Sequence, residues 1–249
     1  MPPPHSAKDF EAMAKARAKA LREHIFALPT EQLQGKPLAV AQEIEKFADS
    51  QRLPMIFREE KMRIARQVLR NQDPKPKVLV EFGTFVGCSA IGWGQLLRES
   101  NEETAGAHVH VYGFELDPEL AQVARDLIKL AGLDDVVTVI DGPGAESLRK
   151  LVAEGAVKVG GVDAVFIDHW EKLYVPDLQV CEELQVFHKG SVIMADNTDF
   201  PGAPDYLQYV KGGGSGQPGA VRYESKSFET DSNVSGRPKV VEVTSVIHV

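Results

Sequence analysis

Apolar residues in the first 75 positions recur at three- and four-residue steps, a spacing typical of helices that bury one face. A first helix is predicted over about 10–28, a second over about 37–50 and a third over about 58–70. Pro54 predicts an irregular connector at 52–57, between the second helix and the third. We expect these 75 residues to form a helical cover on the rest of a single domain, which spans residues 1–249.

From residue 76 onward the pattern changes to short apolar runs that alternate with helical stretches. Five such runs, predicted to be strands, cover 77–81, 109–115, 136–140, 162–167 and 191–195. After a glycine-rich loop, residues 220–228 and 239–249 alternate as the two strands of a terminal hairpin. This order predicts an α/β fold with a mostly parallel sheet, covered by helices on both faces and with its ligands at the carboxyl ends of the strands.

Composition narrows the possible partners. The 249 residues include 28 Lys and Arg against 36 Asp and Glu, a net charge of −8, which argues against a nucleic-acid or anionic-membrane partner. Two cysteines make no disulfide framework, and neither a signal peptide nor a membrane span is recognised. We therefore expect a cytoplasmic protein without a nucleic-acid or membrane partner, and no obligate protein partner is evident.

The first strand ends in a glycine-containing turn that begins at Glu81. Gly83 and Gly87 allow a tight turn and a close approach of a ligand to the next helix. Phe85 replaces the middle glycine of a nicotinamide-binding fingerprint, so a ligand with a positive centre and no phosphate fits better. S-adenosylmethionine matches that description, while a plain strand-to-helix turn is the alternative.

The second strand ends in two acids with different predicted tasks. We assign Glu115 to the two hydroxyls of a ribose, and Asp117, which precedes a proline, to the N-cap of the next helix.

The fourth and fifth strands also end in acids. Asp168, Asp196 and Asn197 would meet at neighbouring strand ends, and their oxygen atoms suit Mg²⁺ better than Zn²⁺. The alternative is that the two aspartates only cap the helices that follow them.

Several longer strings resemble the catechol O-methyltransferase family, which depends on Mg²⁺ and S-adenosylmethionine. They are VFIDHW at 165–170, YVPD at 174–177, KGSVIMADN at 189–197 and PGAPDY at 201–206. The resemblance extends over roughly 40–210 and implies a Rossmann-like class I methyltransferase with a seven-stranded sheet. It also implies that the chain transfers the methyl group of S-adenosylmethionine to one hydroxyl of a catechol.

The resemblance assigns site residues in three groups. Asp168, Asp196 and Asn197 would bind the metal. The cofactor would be held by Phe57, Glu81, Gly83, Phe85, Ser89, Glu115, Leu116, Gly144, Asp168, His169 and Trp170. The substrate would lie against Leu53, Trp170, Asn197, Pro201 and Glu229.

This chain departs from the family pattern at two places. The family has a lysine, the general base, directly after Asp-His-Trp, whereas Glu171 stands here and Lys172 comes next. Lys172 is our candidate base, with Glu171 or water as alternatives. Glu229 is the candidate that orients the second substrate hydroxyl, and Glu224 is the alternative.

Other functions stay open at this stage. They are methyl transfer to caffeoyl-type or other bulky diphenols, which Leu53 in place of a tryptophan would admit, a catalytically weak S-adenosylmethionine-binding homologue, and a nicotinamide-dependent oxidoreductase.

Overall fold

The computed structural model describes residues 7–104, 106, 108–230 and 239–249. The α-helices in this part of the chain are Ala7–Ala27 (α1), Thr30–Leu33 (α2), Pro37–Gln51 (α3), Glu59–Arg70 (α4), Cys88–Ser100 (α5), Pro118–Leu130 (α6), Gly144–Ala153 (α7), Tyr174–Glu183 (α8) and Pro204–Lys211 (α9). The strands are Val78–Phe82 (β1), His110–Glu115 (β2), Val137–Asp141 (β3), Val162–Ile167 (β4), Phe187–Asp196 (β5), Arg222–Glu229 (β6) and Val240–His248 (β7).

The seven strands form one sheet in the order β3-β2-β1-β4-β5-β7-β6. The first five strands pair in parallel, and β7 pairs antiparallel with both β5 and β6. This confirms the predicted mostly parallel sheet with a terminal hairpin; residues 231–238, between the two strands of the hairpin, lie outside the described residues. The strand order reverses between β1 and β4, which is where open α/β sheets bind their ligands.

Helices cover both faces of the sheet because the parallel strands are apolar on both sides. Leu79 and Phe166 belong to one buried cluster, together with apolar residues of α3, α4, α5 and α6. Val80 and Val165 belong to a second cluster on the opposite face, with α7, α8 and α9. The two clusters fix the carboxyl ends of the strands relative to one another.

The N-terminal helices pack on the first of these faces. Arg22 of α1 pairs with Asp126 of α6, at 2.5 Å between Nε and Oδ2, and Lys15 pairs with Asp117. The connector after α3 buries Leu53 and Phe57 in the same apolar cluster. The division into a helical cover at 1–75 and a core at 76–249 stays a prediction. None of the described helices is long and apolar enough to cross a lipid bilayer.

Candidate active site

The turn after β1 joins the ends of three strands. The N–H groups of Gly83 and Thr84 donate to the carbonyl oxygen of Phe114 on β2, both at 3.1 Å. Gly83 has a φ of 95°, and a Cβ there would lie 2.5 Å from the carbonyl oxygen of Asp168. Glycine is therefore needed for both the conformation and the close approach to β4.

The same turn leaves the amino terminus of α5 open. Gly87, with a φ of 84°, is the N-cap residue, and no side chain caps this helix. Such a terminus attracts anions because its first N–H groups have no partners within the helix. It can therefore bind a ligand carboxylate beside Glu81 and Ser89.

Glu81 is fully buried beneath α5. Its Oε1 accepts a hydrogen bond from the indole of Trp93 at 3.0 Å, and its Oε2 has no hydrogen-bond partner among the described residues. Burial raises the pKa of Glu81 to about 7, although the polar groups around it oppose the rise. A cationic ligand group would favour the ionised form.

Glu115 is held by the backbone at the end of β2. It accepts hydrogen bonds from the N–H of Phe85 at 2.7 Å and from the N–H of Asp117 at 3.0 Å. Burial raises its pKa. Each carboxylate oxygen retains a second lone pair that can accept a hydroxyl group, so the geometry is compatible with the predicted ribose contact. Leu116, next to it, is 65% exposed.

Asp117 caps α6, as the sequence predicts. Its Oδ1 accepts hydrogen bonds from the N–H groups of Glu119 at 2.9 Å and Leu120 at 3.3 Å.

Asp168 and Asp196 lie at adjacent strand ends, because Ile167 of β4 pairs with Ala195 of β5. The two residues cap none of the helices described, so the capping alternative is wrong. Asn197 follows with a φ of 55°, and its Nδ2 donates to the carbonyl oxygen of Phe200 at 3.3 Å. Its side-chain oxygen thus remains available to a ligand.

Lys61 of α4 binds one member of this pair, Asp196. Its Nζ lies 2.5 Å from Oδ1 and 2.7 Å from Oδ2 of Asp196, and the lysine is only 7% exposed. Sequence reasoning missed Lys61. A signal was present, because Lys61 lies on the buried face of α4 with Met62, Ala65 and Leu69.

The donors at this end of the sheet fit Mg²⁺. The Asp168 carboxylate accepts no hydrogen bond from the described residues, and its pKa is well above the ordinary range because of burial and the nearby charge of Asp196. When both aspartates are ionised, one negative charge remains beyond the one that Lys61 compensates. No described group contains three or more His, Cys, Asp or Glu side chains placed to hold a metal, so a divalent cation here would also need Asn197 and water.

His169 is fixed beside the Gly83 turn. Its Nε2 lies 2.6 Å from Oδ2 of the buried Asp177, and its ring stacks on Tyr174 with centroids 5.4 Å apart. The His169 Nδ1 atom is buried and has no partner among the described residues. A Cβ on Gly144, at the start of α7, would lie 2.4 Å from the Phe82 ring. His169 and Gly144 therefore both lie against Phe82, the last residue of β1, beside the Gly83 turn.

The predicted substrate residues divide into exposed and buried ones. Trp170 is 55% exposed and Pro201 is exposed at the same end of the sheet, whereas Leu53 is only 3% exposed. Phe57 is equally buried and packs on Trp93 and Phe166. The assignments of Leu53 to substrate and of Phe57 to cofactor stay predictions.

The structure places the candidates for the general base and for the late-strand carboxylate, which the sequence left open. Glu171 is half-buried and Lys172 is exposed, in one short 3-10 helix at Glu171–Leu173. Glu229 ends β6 opposite Val240, next to the β7 residue that pairs with Asp196. Glu224 pairs with Ser245, which lies opposite Val192, farther from that end of the sheet. The register therefore favours Glu229 over Glu224.

Comparisons with known proteins agree with this fold. A family model described as a methyltransferase domain matches residues 80–198. A catechol O-methyltransferase from Bos taurus is 31% identical over 233 residues, which cover 92% of this chain and 78% of the relative. One from Sus scrofa is 37% identical over 174 residues, which cover 68% of this chain and 84% of the relative.

Solved structures share the fold. An O-methyltransferase from Bacillus cereus in complex with SAH has a TM-score of 0.63 at 19% identity, covering 84% of this chain and 90% of that one. An O-methyltransferase from Streptomyces achromogenes in complex with SAM has a TM-score of 0.62 at 16% identity, covering 84% and 89%. The chain belongs to the catechol O-methyltransferase family and is an S-adenosylmethionine-dependent methyltransferase.

Proposed function

We propose that this enzyme transfers the methyl group of S-adenosylmethionine to one hydroxyl of a catechol that is bound to Mg²⁺. The observation that supports this most strongly is the placement of four carboxylates at one edge of the sheet. Glu81 and Glu115 lie beside the Gly83 turn, and Asp168 and Asp196 lie on the neighbouring strands. A sulfonium cofactor and a metal-bound diol need adjacent sites of this kind.

We call the Glu81 and Glu115 side of the site the cofactor half. There the cofactor would use the carboxylate lone pairs of Glu81 and Glu115 that accept no hydrogen bond from the described residues. The ammonium of the methionine group would meet Glu81, and its carboxylate would meet Ser89 and the amino terminus of α5. The ribose hydroxyls would donate to Glu115, and Leu116, Gly144, His169 and Trp170 would surround the adenine. Gly83 and Phe85 shape the turn between these contacts.

We call the Asp168, Asp196 and Asn197 side of the site the metal half, and these three residues would bind Mg²⁺. When bound, Mg²⁺ stabilises the phenolate form of a chelated catechol and so lowers the pKa of its hydroxyl. Trp170 and Pro201 would flank the aromatic ring, and Glu229 would accept the second hydroxyl. The protein would thereby hold oxygen and methyl carbon in line, which is a large part of such catalysis.

S-adenosylmethionine would supply the methyl group, which would pass to the deprotonated substrate oxygen while the carbon–sulfur bonding pair stays on the sulfur. The hydroxyl proton must go to a base, and we propose Lys172 for that task. Lys172 is exposed in this structure, so in this role the 3-10 helix at Glu171–Leu173 would turn it toward the bound substrate.

The base assignment has a direct test. Lys172→Ala is expected to lower kcat about a hundredfold with little change in cofactor affinity, a typical loss for a general base. Glu171→Ala, its neighbour in the same short helix, is the matched control and should retain most activity. A normal kcat in Lys172→Ala together with a loss in Glu171→Ala would give the role to Glu171.

A second candidate keeps the fold but weakens the chemistry. Because Glu171 stands where the family has its lysine, and Lys172 is exposed, the chain could bind S-adenosylmethionine and methylate poorly, or accept bulkier caffeoyl-type diphenols.

Radiolabelled S-adenosylmethionine distinguishes these functions. We expect label in the methyl ether of simple catechol, with a rate at least comparable to that of caffeic acid. A strong preference for caffeic acid would favour the bulky-diphenol function. Cofactor binding without label in either product would favour the weak homologue.

A further inference from the structure

Lys61 is a buried cation that the cofactor and substrate contacts above do not use. It is 7% exposed, and its ammonium reaches both oxygens of Asp196. The Phe57 ring is also near, with its centroid 5.8 Å from Nζ, and the charge of Lys61 acts on Asp168 as well. A charge this deep is stable only when it is paired, so Lys61 and Asp196 depend on each other.

Lys61 does not stabilise the helix in which it lies. It is the third residue of α4, where the helix dipole favours anions and disfavours a lysine. The two residues before it, Glu59 and Glu60, have the favourable charge. The pairing with Asp196, 135 residues away in the chain, is therefore the interaction that explains a lysine on the buried face of α4.

The neighbouring residue Glu60 provides a comparison. It pairs with Lys239 at the start of β7, so two consecutive residues of α4 pair with the end of the sheet. Among the described contacts, Lys239 binds neither of the two carboxylates predicted to hold the metal, Asp168 and Asp196, whereas Lys61 binds Asp196. Only the Lys61 contact would be affected when a metal takes the Asp196 oxygens.

We propose that Lys61 is the internal counter-ion of the metal site: it holds the Asp196 carboxylate while no divalent cation is bound, and it competes with that cation for the same oxygens. This inference rests on the proposed function, because it assumes that Asp196 is a metal ligand. Lys61 is thus a positioning residue that sets the affinity of the site. Its cost is weaker metal binding, and its benefit is that the buried Asp196 carboxylate has a counter-charge in the metal-free protein.

The test is a calorimetric titration of MgCl₂ into the protein saturated with S-adenosylhomocysteine, for wild type, Lys61→Met and Lys239→Met. Lys61→Met should bind Mg²⁺ at least about tenfold more tightly, because a positive charge close to the metal is gone. Lys239→Met should bind like wild type. Unchanged or weaker binding by Lys61→Met would overturn the proposal.

Thermal unfolding gives a second readout that does not involve activity. In EDTA, Lys61→Met should unfold at a lower temperature than wild type, and Mg²⁺ should raise its Tm by more than it raises that of wild type. A Lys61→Met protein that folds only with Mg²⁺ present would agree with this. Equal Mg²⁺-induced shifts in the two proteins would contradict it.

Wild type alone also decides the question. In crystals soaked with MgCl₂, Lys61 Nζ should move away from at least one Asp196 oxygen, and metal bound with both Lys61 contacts intact would refute competition. A result that refutes the role of Lys61 can be told apart from one that refutes the proposed function. A wild type that methylates catechol while Lys61→Met binds Mg²⁺ no more tightly retains the function and loses this inference; a wild type that methylates no catechol loses the function.

Discussion

Two pairs of carboxylates lie side by side at one edge of the sheet, and they are stabilised differently. In the cofactor half, Glu115 accepts two backbone N–H groups and Glu81 accepts the indole N–H of Trp93. In the metal half, Asp168 accepts no hydrogen bond from the described residues and Asp196 depends on Lys61 and on the N–H of Asn197. Neutral N–H donors thus stabilise the carboxylates of the cofactor half, whereas the charged ammonium of Lys61 stabilises Asp196 in the metal half.

This difference in hydrogen-bond donors indicates which ligand each half can bind. Backbone and indole donors leave Glu81 and Glu115 oriented before the cofactor arrives, so the cofactor half is organised without a metal. Two close carboxylates with one ammonium have a net negative charge when both are ionised, and a bound cation favours that ionised form. Cofactor binding should therefore tolerate metal removal, and catechol chemistry should not.

The largest expected effect comes from breaking the metal half. Asp196→Asn removes a charge from the metal site and should lower kcat for catechol about a thousandfold, which corresponds to about 4 kcal/mol. Its affinity for S-adenosylhomocysteine should change less than threefold. A comparable loss of cofactor affinity would show that the two halves are not separate.

The next largest effect is on the stability of the folded protein. Most substitutions of buried residues lower the free energy of unfolding, whereas we expect Glu81→Gln to raise it. The pKa of Glu81 is raised from 4.5 to about 7, so ionising it in the folded protein costs about 3 kcal/mol. That cost is absent below pH 4.5, grows as the pH rises from 4.5 to 7, and is complete above 7. Without cofactor, Glu81→Gln should thus be about 3 kcal/mol more stable than wild type at pH 8.5.

Urea unfolding at two pH values checks this prediction. The stability difference between Glu81→Gln and wild type should vanish at pH 4.5 or below, where both side chains are neutral. A difference that does not depend on pH would show that Glu81 does not titrate as described.

A smaller loss is expected in the cofactor half. Glu115→Gln keeps the shape of the side chain but weakens the hydrogen bonds that would come from the ribose. The Kd for S-adenosylmethionine should rise at least about tenfold, the loss expected for charge-assisted hydrogen bonds. The Mg²⁺ affinity should stay unchanged, and calorimetry measures both quantities on one sample.

The smallest effect lies outside both halves. Asp117→Ala removes the N-cap of α6 and should cost about 1 kcal/mol, or about 2–4 °C in Tm. Lys15→Ala, which removes only the exposed partner of Asp117, should cost less. A greater loss in Lys15→Ala would mean that the contact with α1, rather than the cap, stabilises this corner.

Most of the fold is predictable because it depends on local patterns. The alternation of apolar runs with helical stretches predicts the five parallel strands, and Asp117 before Pro118 predicts the start of α6. The glycine turn at Gly83 is likewise visible in the sequence. The edge of the sheet at which parallel strands end then places Glu81, Glu115, Asp168 and Asp196 together.

What the sequence does not predict are contacts between distant segments. Lys61 and Asp196 are 135 residues apart, and nothing near Asp196 indicates a lysine. The burial of Leu53 and Phe57 depends on how the connector between α3 and α4 folds onto α5. Exposure of Lys172 depends on the 3-10 helix after β4, which no periodicity reveals.

The decisive measurement is methyl transfer to catechol and to phenol, each with Mg²⁺ and with excess EDTA, from labelled S-adenosylmethionine. We expect label in the catechol product with Mg²⁺, almost none in EDTA, full recovery when Mg²⁺ is restored, and almost none in the phenol product. Full turnover of catechol in excess EDTA, or equal rates for phenol and catechol, would contradict a metal half that selects vicinal hydroxyls.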